Sequence, residues 1–214
     1  MLPMALCASY VDASATMRMS VVLFLARHAE HADVGRVLSG RSAIALSDAG
    51  REQSRRLARL CARRGIREIQ SSPTPRALQT AELIAGPLAL EVERAGALDE
   101  IDFGSWTGRS FAELEDDPLW ALWNSERDRH IPPGGESMAS AVQRMISHLE
   151  MLALRGRSHV LCVSHCDMIR GAVAHYLGLG LDRLLRFNID PASLSVIALS
   201  NGEGRLLSLN EVPS

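Results

Sequence analysis

The sequence predicts an α/β fold, a three-layer sandwich with a mostly parallel central sheet and helices on both faces. Two continuous apolar runs, residues 21–26 and 160–163, have the length and composition of strands buried on both faces. A helical pattern follows each run, after a loop in the first case, and this alternation is typical of a parallel sheet. A chain of 214 residues suits one such domain with a sizeable core.

Local signals predict the other elements in order. Ser47 is a suitable N-cap for a helix through residue 64, closed by Gly65. Pro73 and Pro75 suit the opening of a second helix that ends at residues 86–87. Further strands are predicted at 67–70, 88–92, 184–189, 194–199 and 205–209, and further helices from 136 and over 167–177. The predicted buried stripes are Leu57, Leu60, Cys61 and Arg64 in the first helix, and Met138, Val142, Met145, Leu149 and Leu152 in the helix from 136.

Composition limits the function classes. The net charge of −2 gives no reason to expect nucleic acid or an anionic membrane as a partner, and no apolar stretch reaches the ~20 residues that cross a bilayer. All 23 basic residues are arginine, although genomic bias explains this usage better than functional selection does. Without lysine, Schiff-base catalysis and a lysine-containing phosphate loop are excluded. A bound phosphate must therefore be held by arginine, histidine and backbone N–H groups.

The four cysteines are scattered, which fits a reduced cytoplasmic protein better than a disulfide framework. Cys162, His165 and Cys166 are close in sequence, as metal ligands often are. However, Cys162 lies within a predicted buried strand and a fourth ligand with suitable spacing is missing, so we expect no metal.

Two segments stand apart from the α/β pattern. Residues 1–19 lack periodicity and are expected to be a disordered or loosely attached tail, leaving one domain at 20–210. Residues 95–133 contain all three tryptophans, in a chain otherwise poor in aromatic residues. This excursion is interpreted either as a lid over a substrate pocket or as a small satellite core, and both can hold at once.

Charged residues follow the two central strands. Arg27 and His28 come at the end of the first strand, and His165 follows the strand at 160–164. Ligands of open α/β sheets bind beyond the carboxyl ends of the strands, so these side chains are expected to face one crevice. Arg76 would lie in the first turn of the second predicted helix, at the end that favours anions. An isolated Arg-His pair can equally mark the return of the chain to water.

Five segments together resemble a known family. They are LARHAE (25–30), SSPTPRALQTA (71–81), LDEIDFG (98–104), GGES (134–137) and VSHCD (163–167). In this order they resemble the histidine phosphatase superfamily, the phosphoglycerate mutase-like phosphatases and mutases, over residues 21–199. The resemblance implies a phosphoglycerate mutase-like fold, a small phosphate ester as substrate, and no cofactor or metal.

The resemblance also implies a role for each matching residue. His28 would be the nucleophile that becomes phosphorylated, Arg27 and Arg76 would hold the phosphoryl oxygens, and His165 would be a further donor. Glu100 matches the proton donor, and its pKa should rise because a negative carboxylate is disfavoured beside phosphate. On residue type alone, two neighbouring carboxylates are close rivals for this role: Asp99 and Asp102.

The chain departs from the family pattern at several positions. Val34 stands where an asparagine often contacts phosphate, and Arg41 or a backbone group is a candidate substitute, although a solvent-exposed role for Arg41 is simpler. Ala29 replaces a glycine, a small change. Cys166 and Asp167 replace two glycines. Asp167 could favour the helix N-terminus or repel anionic substrates.

The leading hypothesis is a metal-independent phosphomonoesterase that acts through a phosphohistidine. A phosphoglycerate mutase is the alternative, and its more acidic substrate would need extra basic residues around the pocket. The excursion offers Arg109, Arg127 and Arg129, together with many acidic residues, which favours the phosphatase. A non-catalytic phosphate-binding module is the third hypothesis. Sugar phosphates, nucleotide-like esters such as α-ribazole phosphate, and phosphoproteins are all compatible substrates, and no particular oligomeric state is implied.

Overall fold

The computed structural model describes residues 20–214, so the predicted tail at 1–19 lies outside the described residues. The strands are β1 (Val21–Arg27), β2 (Glu68–Ser71), β3 (Val92–Arg94), β4 (Val160–Ser164), β5 (Leu194–Ser200) and β6 (Glu203–Glu211). The α-helices are α1 (Asp48–Arg63), α2 (Pro75–Leu88), α3 (Phe111–Glu115), α4 (Pro118–Ser125), α5 (Met138–Leu154) and α6 (Cys166–Tyr176). Short 3₁₀ turns lie at Gly96–Leu98, Gly104–Trp106 and Leu181–Arg186.

The strands form one sheet in the order β3-β2-β4-β1-β5-β6. The pairs β3–β2, β2–β4 and β4–β1 are parallel, whereas β5 is antiparallel to both β1 and β6. Within this sheet β5 is therefore the one strand that runs against the others. The predicted mostly parallel sheet is confirmed, and the two predicted central strands are direct neighbours.

Alternation along the central strands builds a separate core on each face of the sheet. In β1, Leu23 and Leu25 belong to the core that α5 and α6 cover, whereas Phe24 and Ala26 belong to the core that α1 and α2 cover. All four side chains are buried because both faces of the strand are covered. The three-layer sandwich follows from this two-sided burial.

Three local predictions are wrong in detail. Residues 184–189 do not form a strand: Leu181–Arg186 is a 3₁₀ turn that packs against α6 instead of pairing in the sheet. The strand predicted at 88–92 begins later, because α2 continues through Pro87, which removes one hydrogen bond in the last turn, and ends at the left-handed Ala89. Arg64 is exposed and serves as the C-cap of α1, so it does not extend the buried stripe.

Within the described part of the chain, none of the helices combines the length and the apolarity that a membrane crossing needs. The predicted stripe of α5 is buried along its whole length, as expected for core packing.

Gly50 allows α1 to start against the loop that leaves β1. A Cβ atom at this position would lie 2.0 Å from the backbone oxygen of Glu30, which no rotamer change can relieve. We therefore expect Gly50→Ala to lower the free energy of unfolding in urea by about 2 kcal/mol or more. The control is Gly180→Ala, at a position with φ −65° and ψ 152°, which alanine adopts without strain, and with nothing among residues 20–214 within 4 Å of the added methyl group. It should raise stability by about 0.5–1 kcal/mol, and equal effects of the two substitutions would contradict the steric argument.

Candidate active site

The two histidines are brought together by the pairing of β1 with β4. Arg27 is the register partner of Ser164, and the His28 N–H donates to the Ser164 carbonyl at 2.9 Å. Both strands end at this level, so His28 and His165, the residues that follow them, lie next to each other. Their ring centroids are 5.1 Å apart, and both rings are buried. Arg27 and His28 line a common cavity at the carboxyl ends of these strands, as expected, whereas His165 is fully buried behind it.

The hydrogen bonding of His28 defines its tautomer. Its Nδ1 lies 2.8 Å from the Ala29 carbonyl oxygen, which can only accept, so Nδ1 carries the proton and Nε2 has a free lone pair. Burial first, then the charges of Arg76 and Arg27, hold the pKa of His28 well below its ordinary value. The imidazole is therefore neutral at physiological pH, as a nucleophile must be.

Two arginines line the cavity beside His28. Arg76 is 1% exposed in the first turn of α2, where its guanidinium donates to the carbonyls of Gly40 and Ser42. Burial lowers the pKa of Arg76 from its ordinary value, although it remains a cation. Arg27 donates to the Ile189 carbonyl at 2.6 Å. The Nε atom of each arginine is buried without a hydrogen-bond partner among the described residues, so both retain donor capacity.

His165 belongs to a hydrogen-bonded chain that ends on a carboxylate. Arg76 donates to Nδ1 at 3.1 Å, so Nε2 carries the proton and donates to the Ser72 hydroxyl at 2.8 Å. Ser72 in turn donates to Asp99 at 2.9 Å. Burial, then Arg76 and His28, lower the pKa of His165 well below its ordinary value. To donate a hydrogen bond to phosphate from Nδ1, the ring must first be protonated there, with Asp99 as counter-charge at the far end of the chain.

Glu100 has the environment of a proton donor. Its side chain is buried, one carboxyl oxygen accepts from the Ile101 N–H at 3.0 Å, and the other lies 3.8 Å from His165 Nδ1. Burial and the negative charge of Asp167 raise the pKa of Glu100 to about 8, outweighing the opposing effect of Arg76. The carboxyl group is thus protonated at neutral pH.

The two rival carboxylates point elsewhere. Asp99 accepts from Ser72 and lies 3.5 Å from Arg41, while Asp102 accepts from the Gly104 N–H and is partly exposed. Neither lines the cavity that contains Glu100. The geometry therefore separates Glu100 from its neighbours, which residue type could not do.

One cavity of about 420 Å³ contains these groups, a size typical of small-molecule sites. Its lining includes four of the five residues that the sequence predicts: Arg27, His28, Arg76 and Glu100. The fifth, His165, lies beneath them with no exposed surface and reaches the site through its contact with Arg76. All five residues are thus brought together.

Comparison with known proteins identifies the family of the chain. A sequence model of the histidine phosphatase superfamily (branch 1) matches residues 23–212. The chain belongs to this superfamily. It is 35% identical to phosphoserine phosphatase 1 of Hydrogenobacter thermophilus over 195 residues, covering 89% of this chain and 92% of that protein. It is 27% identical to adenosylcobalamin/α-ribazole phosphatase of Escherichia coli, covering 88% and 95%. The structure of a mycobacterial glucosyl-3-phosphoglycerate phosphatase shares its fold, with a TM-score of 0.81 at 23% identity, covering 90% of this chain and 100% of that one.

This histidine phosphatase has a further cavity residue that sequence reasoning missed. His31 is 5% exposed, and its ring centroid lies 5.3 Å from that of His28. Burial, followed by the charge of Arg76, lowers the pKa of His31 to about 4, so the ring is neutral at physiological pH. Its position three residues after His28 in the loop beyond β1 was the available signal.

The departures from the family pattern have structural outcomes. Val34 lines the cavity, but Arg41 does not replace the missing asparagine, because it pairs with Glu136 at 2.6 Å and with Asp99 outside the cavity. Asp167 does line the cavity. Its carboxylate lies between two arginines, with Arg127 at 3.4 Å and Arg170 at 3.7 Å, which offset part of its negative charge.

The sequence trio considered as a metal site is dispersed. Cys162 is buried within β4, and Cys166 donates to the Ile189 carbonyl at 3.6 Å. Across residues 20–214, no three histidine, cysteine or acidic side chains converge as a set of metal ligands.

The raised pKa of Glu100 predicts a pH-dependent cost to stability. The folded protein retains this proton up to about pH 8, whereas the unfolded chain releases it near 4.5, so folding is favoured below that range and loses stability as pH rises through it. The free energy of unfolding of Glu100→Gln, relative to that of the natural protein, should therefore rise by about 3 kcal/mol from pH 5 to pH 8.5. Urea unfolding of both proteins at each pH measures this difference. The control is Glu115→Gln, which removes a carboxyl group from the exposed surface of α3 and is measured in the same way. A flat difference for Glu100→Gln would show that the carboxyl group ionises normally.

Proposed function

We propose that this protein is a metal-independent phosphomonoesterase that hydrolyses a small phosphate ester through a phosphohistidine on His28. The observation that carries the proposal is the free Nε2 of a neutral, buried His28 in one cavity with two arginines and a protonated carboxyl group. Relatives named for phosphoserine and for α-ribazole esters support a small monoester as the substrate class.

The first step of the proposed reaction transfers the phosphoryl group to the protein. His28 Nε2 attacks phosphorus with its lone pair while Arg27 and Arg76 balance the charge on the non-bridging oxygens. The bond between phosphorus and the ester oxygen breaks, and that oxygen takes the proton of Glu100. The products are an alcohol, phosphohistidine and the Glu100 carboxylate.

The second step returns the protein to its starting state. The Glu100 carboxylate removes a proton from water, whose oxygen attacks phosphorus and displaces His28 Nε2. Inorganic phosphate leaves, with Glu100 protonated and His28 neutral again. The arginines supply the positive charge that a divalent metal provides in other phosphatases.

The basic residues of the excursion favour hydrolysis over a mutase. Arg109 pairs with Asp117 at 2.9 Å, and Arg129 is largely exposed, so neither contributes charge to the cavity. Arg127 is the member of this trio that lines it. A binding module without turnover would not need a buried carboxyl group held protonated beside the nucleophile.

We also propose that residues 20–210 act as one domain and that the excursion at 95–133 is a lid over the cavity. Trp120 and Trp123 line the cavity while Trp106 is buried behind them, so the segment combines a pocket wall with a small aromatic core. Within residues 20–214, Cys61, Cys162 and Cys166 form no disulfide bond, which supports a reducing, cytoplasmic location.

Hydrolysis of p-nitrophenyl phosphate tests the proposal. The protein should release phosphate in excess EDTA, and a ³²P-labelled ester should leave an acid-labile, alkali-stable label on the chain. His28→Ala should lose activity by about 10⁴-fold or more, because the covalent step has no substitute. His175→Ala, an exposed histidine of α6, is the matched control and should retain activity. Loss of activity in EDTA would overturn the metal-free mechanism, and conversion of 2- to 3-phosphoglycerate with little free phosphate would indicate the mutase.

The role of Glu100 as the acid predicts a dependence on the leaving group. Glu100→Gln should lower the single-turnover rate of phosphoryl transfer from an alkyl phosphate to His28 by about 10²–10⁴-fold, because an alkoxide needs a proton as it departs. The loss should be much smaller for p-nitrophenyl phosphate, since p-nitrophenolate leaves readily without one. Equal losses in single-turnover measurements of both esters would assign Glu100 a structural role instead.

A further inference from the structure

The cavity extends from the phosphate-binding residues to a second charged group of residues beneath the excursion. Here Arg127 comes from the excursion, whereas Asp167 and Arg170 come from the first turns of α6. We call Arg127 and Asp167 the distal pair. The proposed phosphoryl transfer gives neither residue a bond to the phosphoryl group or a proton to transfer, although Asp167 raises the pKa of Glu100.

Arg127 is a buried cation with unused donors. The residue is 5% exposed, and its guanidinium lies 4.1 Å from the centre of the Trp123 ring. Nη2 donates to the Asn124 side chain at 2.9 Å, but Nε and Nη1 have no hydrogen-bond partner within residues 20–214. Leaving two charged donors desolvated and unbonded is costly, and Arg127 lines the cavity, so an anionic group of a ligand bound beside it would supply the missing acceptors. Arginine's planar fork suits a carboxylate.

Asp167 is incompletely paired as well. Arg127 Nη1 is 3.4 Å from its carboxylate but without hydrogen-bond geometry, and Arg170 is 3.7 Å away. Its side chain is 16% exposed and faces the same cavity. A carboxylate in this position can accept hydrogen bonds from an ammonium group, and it would repel a ligand that brought only negative charge.

We infer that the distal pair forms a subsite for an α-amino acid leaving group, whose carboxylate binds Arg127 and whose ammonium binds Asp167. The substrate is then the phosphate ester of a small hydroxy amino acid, of which O-phosphoserine is the simplest. This inference rests on the proposed function for the phosphoryl end of the cavity. A leaving group without charge, such as a sugar, would leave both members of the distal pair without a charged partner. A leaving group with a single charge would leave one of them without a partner.

Four esters separate the two recognition elements. O-phosphoserine has both groups, 3-phosphoglycerate has a hydroxyl in place of the ammonium, O-phosphoethanolamine lacks the carboxylate, and p-nitrophenyl phosphate lacks both. For the natural protein, kcat/KM for O-phosphoserine should exceed that for 3-phosphoglycerate and that for O-phosphoethanolamine by at least about 30-fold, since a buried charge without a partner opposes binding. Comparable values for O-phosphoserine and 3-phosphoglycerate would overturn the assignment of Asp167.

Variants assign each charge to its residue. Arg127→Met should lower the ratio of kcat/KM for O-phosphoserine to that for O-phosphoethanolamine by about 30-fold or more, and Arg127→Lys should have a smaller effect because the charge remains. Asp167→Asn should lower the ratio of O-phosphoserine to 3-phosphoglycerate by about 10-fold or more. The control is Arg129→Met, an exposed arginine two residues away, which should leave both ratios unchanged. A uniform loss for all four esters in Arg127→Met would make Arg127 structural and overturn the inference.

Binding without turnover distinguishes failure of the inference from failure of the proposed function. Calorimetric titration of His28→Ala should give tighter binding of O-phosphoserine than of 3-phosphoglycerate or O-phosphoethanolamine. If this order holds while the natural protein hydrolyses none of the four esters, the proposed function is wrong and the subsite stands. If the natural protein turns over p-nitrophenyl phosphate but the three affinities are equal, the subsite is wrong and the proposed function stands.

Discussion

The parallel pairing of β1 with β4 is the constraint on which the site depends. The His28 N–H continues the ladder by donating to Ser164, so the two histidines leave the sheet as neighbours. A one-residue slip in this register would exchange the two faces of a strand that is buried on both sides and would separate the rings. The side chains on each face of β1 pack against a different pair of helices, so a slip would disrupt both cores. Packing on both sides of the sheet therefore stabilises the register, and with it the site.

Burial next to fixed positive charge determines the protonation states in the site. His28, His31 and His165 are buried close to Arg76, so each imidazole has a lowered pKa and remains neutral. Arg76 itself cannot lose its charge at physiological pH. The cavity thus combines neutral imidazole rings with arginine N–H donors that have no hydrogen-bond partner in the described part of the chain. This arrangement suits a dianionic ligand and does not suit a cationic one.

The sequence predicted the parts of the site that lie next to strand ends and helix starts. Arg27, His28, Arg76 and His165 follow from local signals, since the end of a buried strand or the first turn of a helix defines where a side chain points. Glu100 needed the family resemblance, because its position depends on a loop anchored by Arg41 and Arg144, which donate to its backbone carbonyl. Periodicity failed at residues 184–189 for a related reason: a short apolar segment does not reveal whether it will pair with a strand or pack under a helix.

The distal pair could not be read from the sequence, because Arg127 and Asp167 come from separate segments that only tertiary packing brings together. Their proximity has a consequence for the acid. Asp167 raises the pKa of Glu100, whereas Arg76 and Arg27 lower it. In the proposed reaction, a bound phosphate dianion would offset the charge of the two arginines, so Glu100 would keep its proton most firmly while the ester is in place. An ammonium group bound to Asp167 would weaken the effect of Asp167 on the pKa of Glu100 without changing the offset of the two arginines by phosphate. Under these proposals, substrate charge at the distal end of the cavity would adjust the acid strength of Glu100, so the two ends would act as one electrostatic unit.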